Sequence, residues 1–482
     1  MKNKTWLPLL QLLIFAMLVG NADAQSVTRL TDQTPSGFTP LPSEPPQVSG
    51  FPVQEIGPSF TQQTPAQFEQ AITESAQLGS FPVQEFEPSP IQQTQVEPEE
   101  EASFPNFKVT GFFHLDGAYF SQDELNLQTL GDIEDGLGFR RARIAAAGNV
   151  TEDVSYILEF DFAQSQARFV DVWFQKSDTR LGNIRIGRFR QPFGMSEVTS
   201  VRELPFLERP LTFALSPFRQ TGISLFDQTR DERGTWAVAG YRYLSDNFGN
   251  VFGDNGGYGL TTRLTRVIAE AGPNRLVHLG VDYSLNDAGR DTVQFVSTNE
   301  VFLSQNPNLG PPGLSVLPLV GVTPFVNTGP LSVDTVHFFS AEAAIGAGPW
   351  AIQSEARWAR VEQADGEVLD FPGAYAQVRW VLTGEDVPYS KSAATFTRIV
   401  PNSDFNRNGG IGAWELLGRI SHLDLNDGTV NGRRLTDFTV GLNWYWNRYT
   451  KLQFNWINSQ LNDDDLGDSV ANAFAFRAQI DF

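Results

Sequence analysis

The sequence predicts an all-β protein, a transmembrane antiparallel β-barrel of about sixteen strands that follows a disordered N-terminal segment. Three observations lead to this fold class. A secretory leader opens the chain, and apolar and polar side chains alternate with a two-residue period from residue 106 onward. After the leader, no apolar run reaches the length of a transmembrane helix.

Residues 1–24 have the pattern of a signal peptide. Two lysines precede an apolar run over residues 6–19, and a triplet of small residues follows at 22–24. The run is short for a membrane span, so we expect cleavage near Gln25 and export. The chain has no cysteine, which excludes disulfides, thiolate metal sites and cysteine nucleophiles.

Residues 25–105 are rich in Pro, Gln, Ser, Thr and Glu and are predicted to be a disordered acidic linker. The sequence Phe-Pro-Val-Gln-Glu at 51–55 recurs at 81–85. The repeat is either a duplicated linker or a short motif that binds a periplasmic partner or the cell wall. The net charge of the whole chain is −21, which argues against a nucleic-acid partner, because such proteins carry a basic patch or excess.

Residues 106–482 form the predicted barrel domain, and its last strand shows the alternation most clearly. Phe474, Phe476, Ala478, Ile480 and Phe482 alternate with Ala475, Arg477, Gln479 and Asp481. A soluble β-sandwich also alternates, so the number of strands, the lengths of their connections and the positions of aromatic residues must decide. About sixteen strands fit between residues 107 and 482, each long enough for a tilted span.

The predicted connections are unequal at the two ends of the barrel, as in outer-membrane barrels. Short turns such as Gly348-Pro349 and Asn447-Arg448 lie at the predicted periplasmic end. Long connections at the other end cover residues 122–136, 190–219, 244–257 and 286–332. The segment 383–410 is the exception, because strand parity makes it a long periplasmic connection.

Aromatic residues support the same orientation. Trp444, Tyr445, Trp446 and Tyr449 cluster beside a short turn, where an interfacial aromatic girdle is expected. The terminal Phe482 is similar to the C-terminal aromatic residue of outer-membrane proteins, which the barrel-insertion machinery recognises.

Alternation also places arginines inside the predicted lumen. Arginine suits an anion pathway, because its planar guanidinium offers paired donors and stays charged. A second interpretation remains open for each arginine, namely a salt bridge to an inward carboxylate that stiffens the wall. The predicted inward carboxylates are Asp116, Glu159, Asp161, Asp171, Asp282, Glu342 and Glu355.

Several phrases resemble the phosphate-selective O and P porins. They are Gly138-Phe139-Arg140-Arg141-Ala142-Arg143-Ile144, Ile186-Gly187-Arg188-Phe189-Arg190-Gln191-Pro192-Phe193-Gly194, Arg219-Gln220-Thr221-Gly222 and Gly412-Ala413-Trp414-Glu415-Leu416. The resemblance covers nearly all of 106–482. It implies a trimer of sixteen-stranded barrels, a third extracellular loop folded into the pore, and lumenal arginines that conduct anions. The family's phosphate-specific members also use lumenal lysines, whereas this barrel has only Lys108, Lys176, Lys391 and Lys451.

Alternation and the resemblance together give the candidate anion pathway. Its residues are Arg141, Arg143, Arg185, Arg190, Arg202, Arg209, Arg219, Arg357, Arg379, Arg419, Lys451 and Arg477.

One motif indicates a metal. Asp404, Asn406, Asn408 and Glu415 match the ligand spacing of a calcium-binding EF-hand loop. No predicted helices flank them, so we interpret the segment as an Asn/Gly-rich turn and keep calcium as the lesser alternative. No recognisable serine or cysteine nucleophile lies near any of the four histidines in the sequence, so we predict neither an enzyme nor a cofactor.

The sequence therefore favours a passive porin for small anions, phosphate or polyphosphate among them, in the outer membrane of a Gram-negative-type bacterium. A general or sugar-permeable porin, with Trp173 and Tyr445 along a stacking path, is the first alternative. The second is a barrel that acts as an anchor, with residues 25–105 tethering the outer membrane to the cell wall. A homotrimer embedded in the lipid bilayer is expected.

Overall fold

The computed structural model describes residues 103–482 except for 164–166, 247, 252–256, 289–291 and 302–323. The predicted signal peptide, the repeat and nearly all of the predicted linker lie outside the described residues. No helix in the described ranges is long and apolar enough to cross a membrane.

Sixteen antiparallel strands form the barrel, as predicted. They are β1 (Asn106–Gln122), β2 (Gly136–Thr151), β3 (Val154–Asp161), β4 (Arg168–Thr179), β5 (Gly182–Arg190), β6 (Arg219–Gln228), β7 (Gly234–Arg242), β8 (Tyr258–Glu270), β9 (Arg275–Asp287), β10 (Leu331–Ala347), β11 (Trp350–Gln363), β12 (Val368–Val381), β13 (Ala413–Asp427), β14 (Val430–Tyr445), β15 (Thr450–Asp463) and β16 (Gly467–Asp481). Two short α-helices, α1 (Glu124–Leu130) and α2 (Met195–Val198), and a 3-10 helix (Leu211–Ala214) lie in the connections, with five strands of two residues each.

The sheet closes on itself, because β16 pairs with β1 as well as with β15. At the end of the seam, the Gly111 amide donates to the Phe482 carbonyl over 2.9 Å, and the Phe482 amide donates back over 3.0 Å. Closure removes the free edges that would otherwise leave backbone groups unpaired in lipid.

The outer face of the wall is apolar, as the two-residue alternation predicts. On β16, the outward Phe474 and Phe476 are 54% and 40% exposed, whereas Arg477, which points to the opposite face, is 1% exposed. Large apolar side chains on β13, β14 and β15 follow the same rule. The chain therefore shows the oily exterior and polar interior of a membrane barrel.

The connections differ between the two ends in the predicted way. Seven connections lie at the predicted periplasmic end, and most are short, such as 152–153, 180–181 and 348–349. The connection 382–412 is the long exception expected at that end. The connections 123–135, 191–218, 243–257 and 288–330 make the opposite end the loop-rich one.

Tryptophans form a girdle near the short turns. Trp414 and Trp444 stack at 4.8 Å between ring centroids, and Trp350 and Trp380 stack at 4.7 Å. Tyr445 is not part of this girdle, because its position on β14 points inward, where it is buried and donates to Glu415 over 2.8 Å. The predicted cluster is therefore divided between the two faces of the wall.

Candidate pore constriction

The connection 191–218 lies inside the barrel, and the opposite wall holds its backbone. Buried carbonyl groups need hydrogen-bond donors, and the loop has few regular partners of its own. Asn443 donates to the Pro205 carbonyl over 2.8 Å, Lys451 donates to the Leu204 carbonyl over 3.0 Å, and Gln453 donates to the Pro205 carbonyl over 2.9 Å. Strands β14 and β15 thus fix the middle of this loop.

Glu208 in the same loop accepts hydrogen bonds from three guanidinium groups. Its carboxylate lies 2.9 Å from Arg140 Nε, 2.9 Å from Arg141 Nη2 and 3.0 Å from Arg477 Nη2. Burial alone would raise the pKa of Glu208, but these three cations hold it well below its usual range. Glu208 is therefore an anion at every relevant pH, and it ties the loop to β2 and β16.

Arg140 reaches the lumen because β2 contains a bulge. His114 pairs with Arg141 and Leu115 pairs with Phe139, so Arg140 is an extra residue in the ladder. Successive residues of a regular strand point to opposite faces, and a bulge suspends that rule locally. The alternation alone assigned only Arg141 and Arg143 inward, and nothing in the sequence marks the bulge.

Six of the predicted pathway arginines pair with carboxylates. Arg143 pairs with Asp161 at 2.9 Å, Arg219 with Asp171 at 2.8 Å, Arg357 with Glu355 at 2.7 Å, Arg379 with Glu415 at 2.6 Å, Arg477 with Asp116 at 2.6 Å, and Arg419 with Glu300. Arg141, bound to Glu208, makes a seventh. These contacts match the wall-stiffening interpretation of the inward arginines.

The other five predicted cations, Arg185, Arg190, Arg202, Arg209 and Lys451, form no ion pair with any residue that the structure describes. Arg190 and Arg209 both donate to the Thr199 carbonyl at the end of α2, each over 2.7 Å. The guanidinium of Arg202 lies 4.6 Å from the ring centroid of Phe112. Their charge is not cancelled by a contacting carboxylate, so they add positive potential to the interior.

The connection 382–412, at the predicted periplasmic end, enters the barrel from that end and meets the loop. Thr395 Oγ1 lies 2.5 Å from Thr199 Oγ1, and Arg398 Nη2 lies 3.0 Å from a Glu203 carboxylate oxygen. The sequence predicted a long connection here by parity but gave it no position in the lumen.

Residues 292–301 and 324–330 narrow the interior at the loop-rich end of the barrel. The ring of Phe295 lies 5.5 Å from that of Phe371 and 6.1 Å from that of Phe338, both on the inner wall. Glu300 is held by Arg419. The alternation predicted a polar lumen. The inward apolar side chains of this half of the barrel depart from that pattern, so their packing was not predicted.

The inner wall is covered unequally around its circumference. Inward side chains on β10 to β16 are almost all buried under the three inserted connections. Three inward side chains on β4 to β6, Trp173, Arg185 and Phe226, remain partly exposed, whereas Phe189, Gln220 and Ser224 on β5 and β6 are buried. The part of β4 to β6 around these three side chains is therefore accessible to water from the interior.

Comparison with known proteins agrees with this geometry. The family described as phosphate-selective porin O and P matches residues 107–482. The chain belongs to this family. Porin O of Pseudomonas aeruginosa is 25% identical over 386 residues, which are 73% of this chain and 83% of the relative. An uncharacterized protein of Caulobacter vibrioides is 26% identical over 360 residues, 72% of this chain and 67% of that protein.

Solved porins are among the structures that are similar to this chain, at low sequence identity. The anion-selective porin from Comamonas acidovorans has a TM-score of 0.48 at 11% identity, with 78% of this chain and 99% of that chain covered. OmpT of Vibrio cholerae has a TM-score of 0.47 at 12% identity, with 80% and 99% covered. As a member of the porin O and P family, the chain is an outer-membrane barrel, and its architecture is that of a channel.

The calcium motif of this porin is dispersed in the structure. Asn406 Oδ1 accepts from the Asn408 amide over 2.8 Å, as in an Asx turn, while Glu415 lies inside the barrel against Arg379. Among the described residues, no three histidine or acidic side chains are placed to hold a metal ion. The structure thus does not bring Asp404 and Glu415 together as a ligand set.

The histidines lie on both faces of the porin wall. His114 and His278 point inward and are buried, and His278 Nδ1 lies 2.7 Å from the Tyr389 hydroxyl. His337 and His422 point outward beside Tyr283 and Thr436. The stacking path of the sugar-porin alternative loses Tyr445, which is buried against Glu415, but keeps Trp173.

Proposed function

We propose that this porin conducts small anions passively through an arginine-bearing lumen, with phosphate or polyphosphate among its solutes, and that it works as a homotrimer in the outer membrane. The observation that carries the proposal is the set of five interior cations without a carboxylate partner among the described residues. Guanidinium groups without a carboxylate partner attract anions, and the carbonyl contacts of Arg190 and Arg209 leave the charge of these two groups in place.

The wall around these cations supports passage and release rather than tight capture. Conduction requires that binding be weak enough for the solute to leave. Carboxylates such as Asp171 and Glu208 accompany the arginines along the interior, so the positive potential is moderated. The family description supports phosphate as one solute. Among the barrel lysines in the described part of the chain, Lys451 is the one that contacts the 191–218 loop.

Planar bilayers test the proposal. Purified protein should give stepwise conductance in potassium chloride, and added phosphate should reduce the chloride current by competing for the same cations. A chloride current that phosphate leaves unchanged would remove phosphate from the solutes. Chemical crosslinking in detergent should give a product of three copies. A product pattern that contains only the monomer would contradict the homotrimer.

Two alternatives have separate tests. Swelling of liposomes with neutral sugars, at a rate that depends on Trp173, would favour the sugar-permeable porin. If deletion of residues 25–105 detaches the outer membrane from the cell wall without changing the conductance, the anchor is favoured. The interior cations favour the anion channel over both.

A further inference from the structure

An aromatic and cationic cluster lines the inner wall on β4, β5 and β6. We name Trp173, Gln175, Arg185 and Phe226 the Arg185 cluster. Arg185 follows the short turn 180–181 by a few residues, so it lies about 10 Å from the periplasmic edge at roughly 3.3 Å per residue. The cluster is on the side of the lumen that the inserted connections leave partly exposed.

The Arg185 guanidinium is held in one orientation. Its central carbon lies 4.3 Å from the ring centroid of Trp173 and 4.9 Å from that of Phe226. Its Nε and Nη2 atoms donate to Gln175 Oε1 over 3.2 and 2.8 Å. Because the group is already ordered, a ligand would lose little free energy in fixing it.

One edge of this guanidinium is left for a ligand. Arginine has five N–H donors, and Gln175 takes one from Nε and one from Nη2. Both donors of Nη1 and the second donor of Nη2 have no acceptor among the residues that the structure describes. Paired donors on one edge match the two oxygens of a carboxylate.

Two glycines leave the inner wall beside Trp173 without side chains. Gly187 pairs with Trp173, and Gly222 pairs with Gly187 on the next strand. A Cβ atom at Gly187 would lie 2.2 Å from the Val172 carbonyl oxygen, and the glycine has a φ of +134°, so no other residue fits. The inner wall beside the indole therefore carries no side chain at these two positions.

We propose that the Arg185 cluster is a binding position for small planar organic carboxylates. The carboxylate takes the open edge of Arg185, and the planar group lies against the edges of Trp173 and Phe226. Inorganic phosphate can use the guanidinium but offers no apolar surface to the rings. This inference deepens the proposed anion channel and rests on it, and it adds a solute class at the inner exit of the pore.

The test uses the full-length protein in planar bilayers, with benzoate or phosphate added to the side of the short turns. Benzoate should reduce the chloride current at lower concentration than phosphate. Arg185→Gln should raise the half-inhibiting concentration of benzoate about tenfold, because a charge-assisted hydrogen-bond pair is lost. Trp173→Leu should also raise it, while inhibition by phosphate changes less than about twofold.

Lys176→Gln is the matched control. Lys176 is close to Arg185 in the same part of the barrel, but it points outward and pairs with Asp153, so benzoate inhibition should stay at the wild-type value. Phe226→Leu replaces Trp173→Leu if that variant fails to insert. Equal benzoate inhibition in wild type and in every variant would overturn the site while an anion-selective current upholds the channel. A cation-selective wild type would overturn both.

Discussion

Arg477 on β16 and Asp116 on β1 face each other across the seam that closes the barrel. The guanidinium donates from Nε over 2.7 Å and from Nη2 over 2.6 Å, one bond to each carboxylate oxygen. Nη2 also lies 3.0 Å from Glu208 in the inserted loop. One side chain therefore joins the first strand, the last strand and the constriction.

Loss of this side chain should destabilise the barrel. Arg477→Met leaves Asp116 and Glu208 buried with fewer cations, which is expected to cost about 3 to 5 kcal/mol. The measurement is the urea midpoint of the folded protein in detergent. Asp116→Asn combined with Arg477→Met should recover part of the loss, and a midpoint equal to wild type for Arg477→Met would contradict the role of the pair.

Neutralising Glu208 should make the channel more anion-selective. Glu208→Gln removes the negative charge on which Arg140, Arg141 and Arg477 converge, so the constriction gains net positive charge. We expect the chloride-to-potassium permeability ratio to rise about twofold to fivefold. Reversal potentials in a salt gradient measure it. Glu152→Gln, an exposed acid in the 152–153 turn, is the control, and a lower ratio for Glu208→Gln would count against this geometry.

Glu197 should make stability depend on pH. Burial raises its pKa to about 7, although Arg357 opposes the shift. A carboxyl with a raised folded-state pKa stabilises the fold below its unfolded value of 4.5, and that contribution is lost as the pH rises through about 7. Wild type should therefore lose up to about 3 kcal/mol from this group between pH 5 and pH 8.

Glu197→Gln supplies the comparison, because the glutamine side chain has no proton to lose and stays neutral as the pH rises. Unfolding midpoints of the two proteins should differ more at pH 8 than at pH 5, with the glutamine variant more stable at pH 8. Parallel pH profiles for the two proteins would remove Glu197 as the cause.

The contact between the two inserted connections can be captured chemically. The chain has no cysteine, and the hydroxyl oxygens of Thr199 and Thr395 lie 2.5 Å apart. Thr199→Cys with Thr395→Cys should form a disulfide on oxidation, seen as a change in gel mobility that a reductant reverses. Each single variant should show no intramolecular change. If the folded double variant forms no disulfide, connection 382–412 does not contact the 191–218 loop as the structure describes.

The closed wall and many inward arginines could be predicted from local pattern. Arg357 and Arg477 occupy inward positions because period-two alternation continues unbroken along β11 and β16. Arg140 could not be assigned, since its position depends on a bulge that leaves no local signal. Tyr445 was grouped with neighbouring tryptophans by composition, whereas its parity on β14 turns it inward.

The content of the lumen could not be predicted from the same pattern. Glu203 and Arg398 are 195 residues apart in sequence, and Phe295 meets Phe371 only because a loop folds back into the barrel. Such contacts depend on the shape of the whole interior. Resemblance to the family, rather than alternation, supplied the inward position of loop 190–219.

The reversal potential of the purified porin across a potassium chloride gradient tests the central claim most directly. Five interior cations have no carboxylate partner in the described structure. They predict that the reversal potential of the wild type at neutral pH has the sign expected for a channel that is selective for chloride. A potential of the sign set by potassium would contradict the anion pathway.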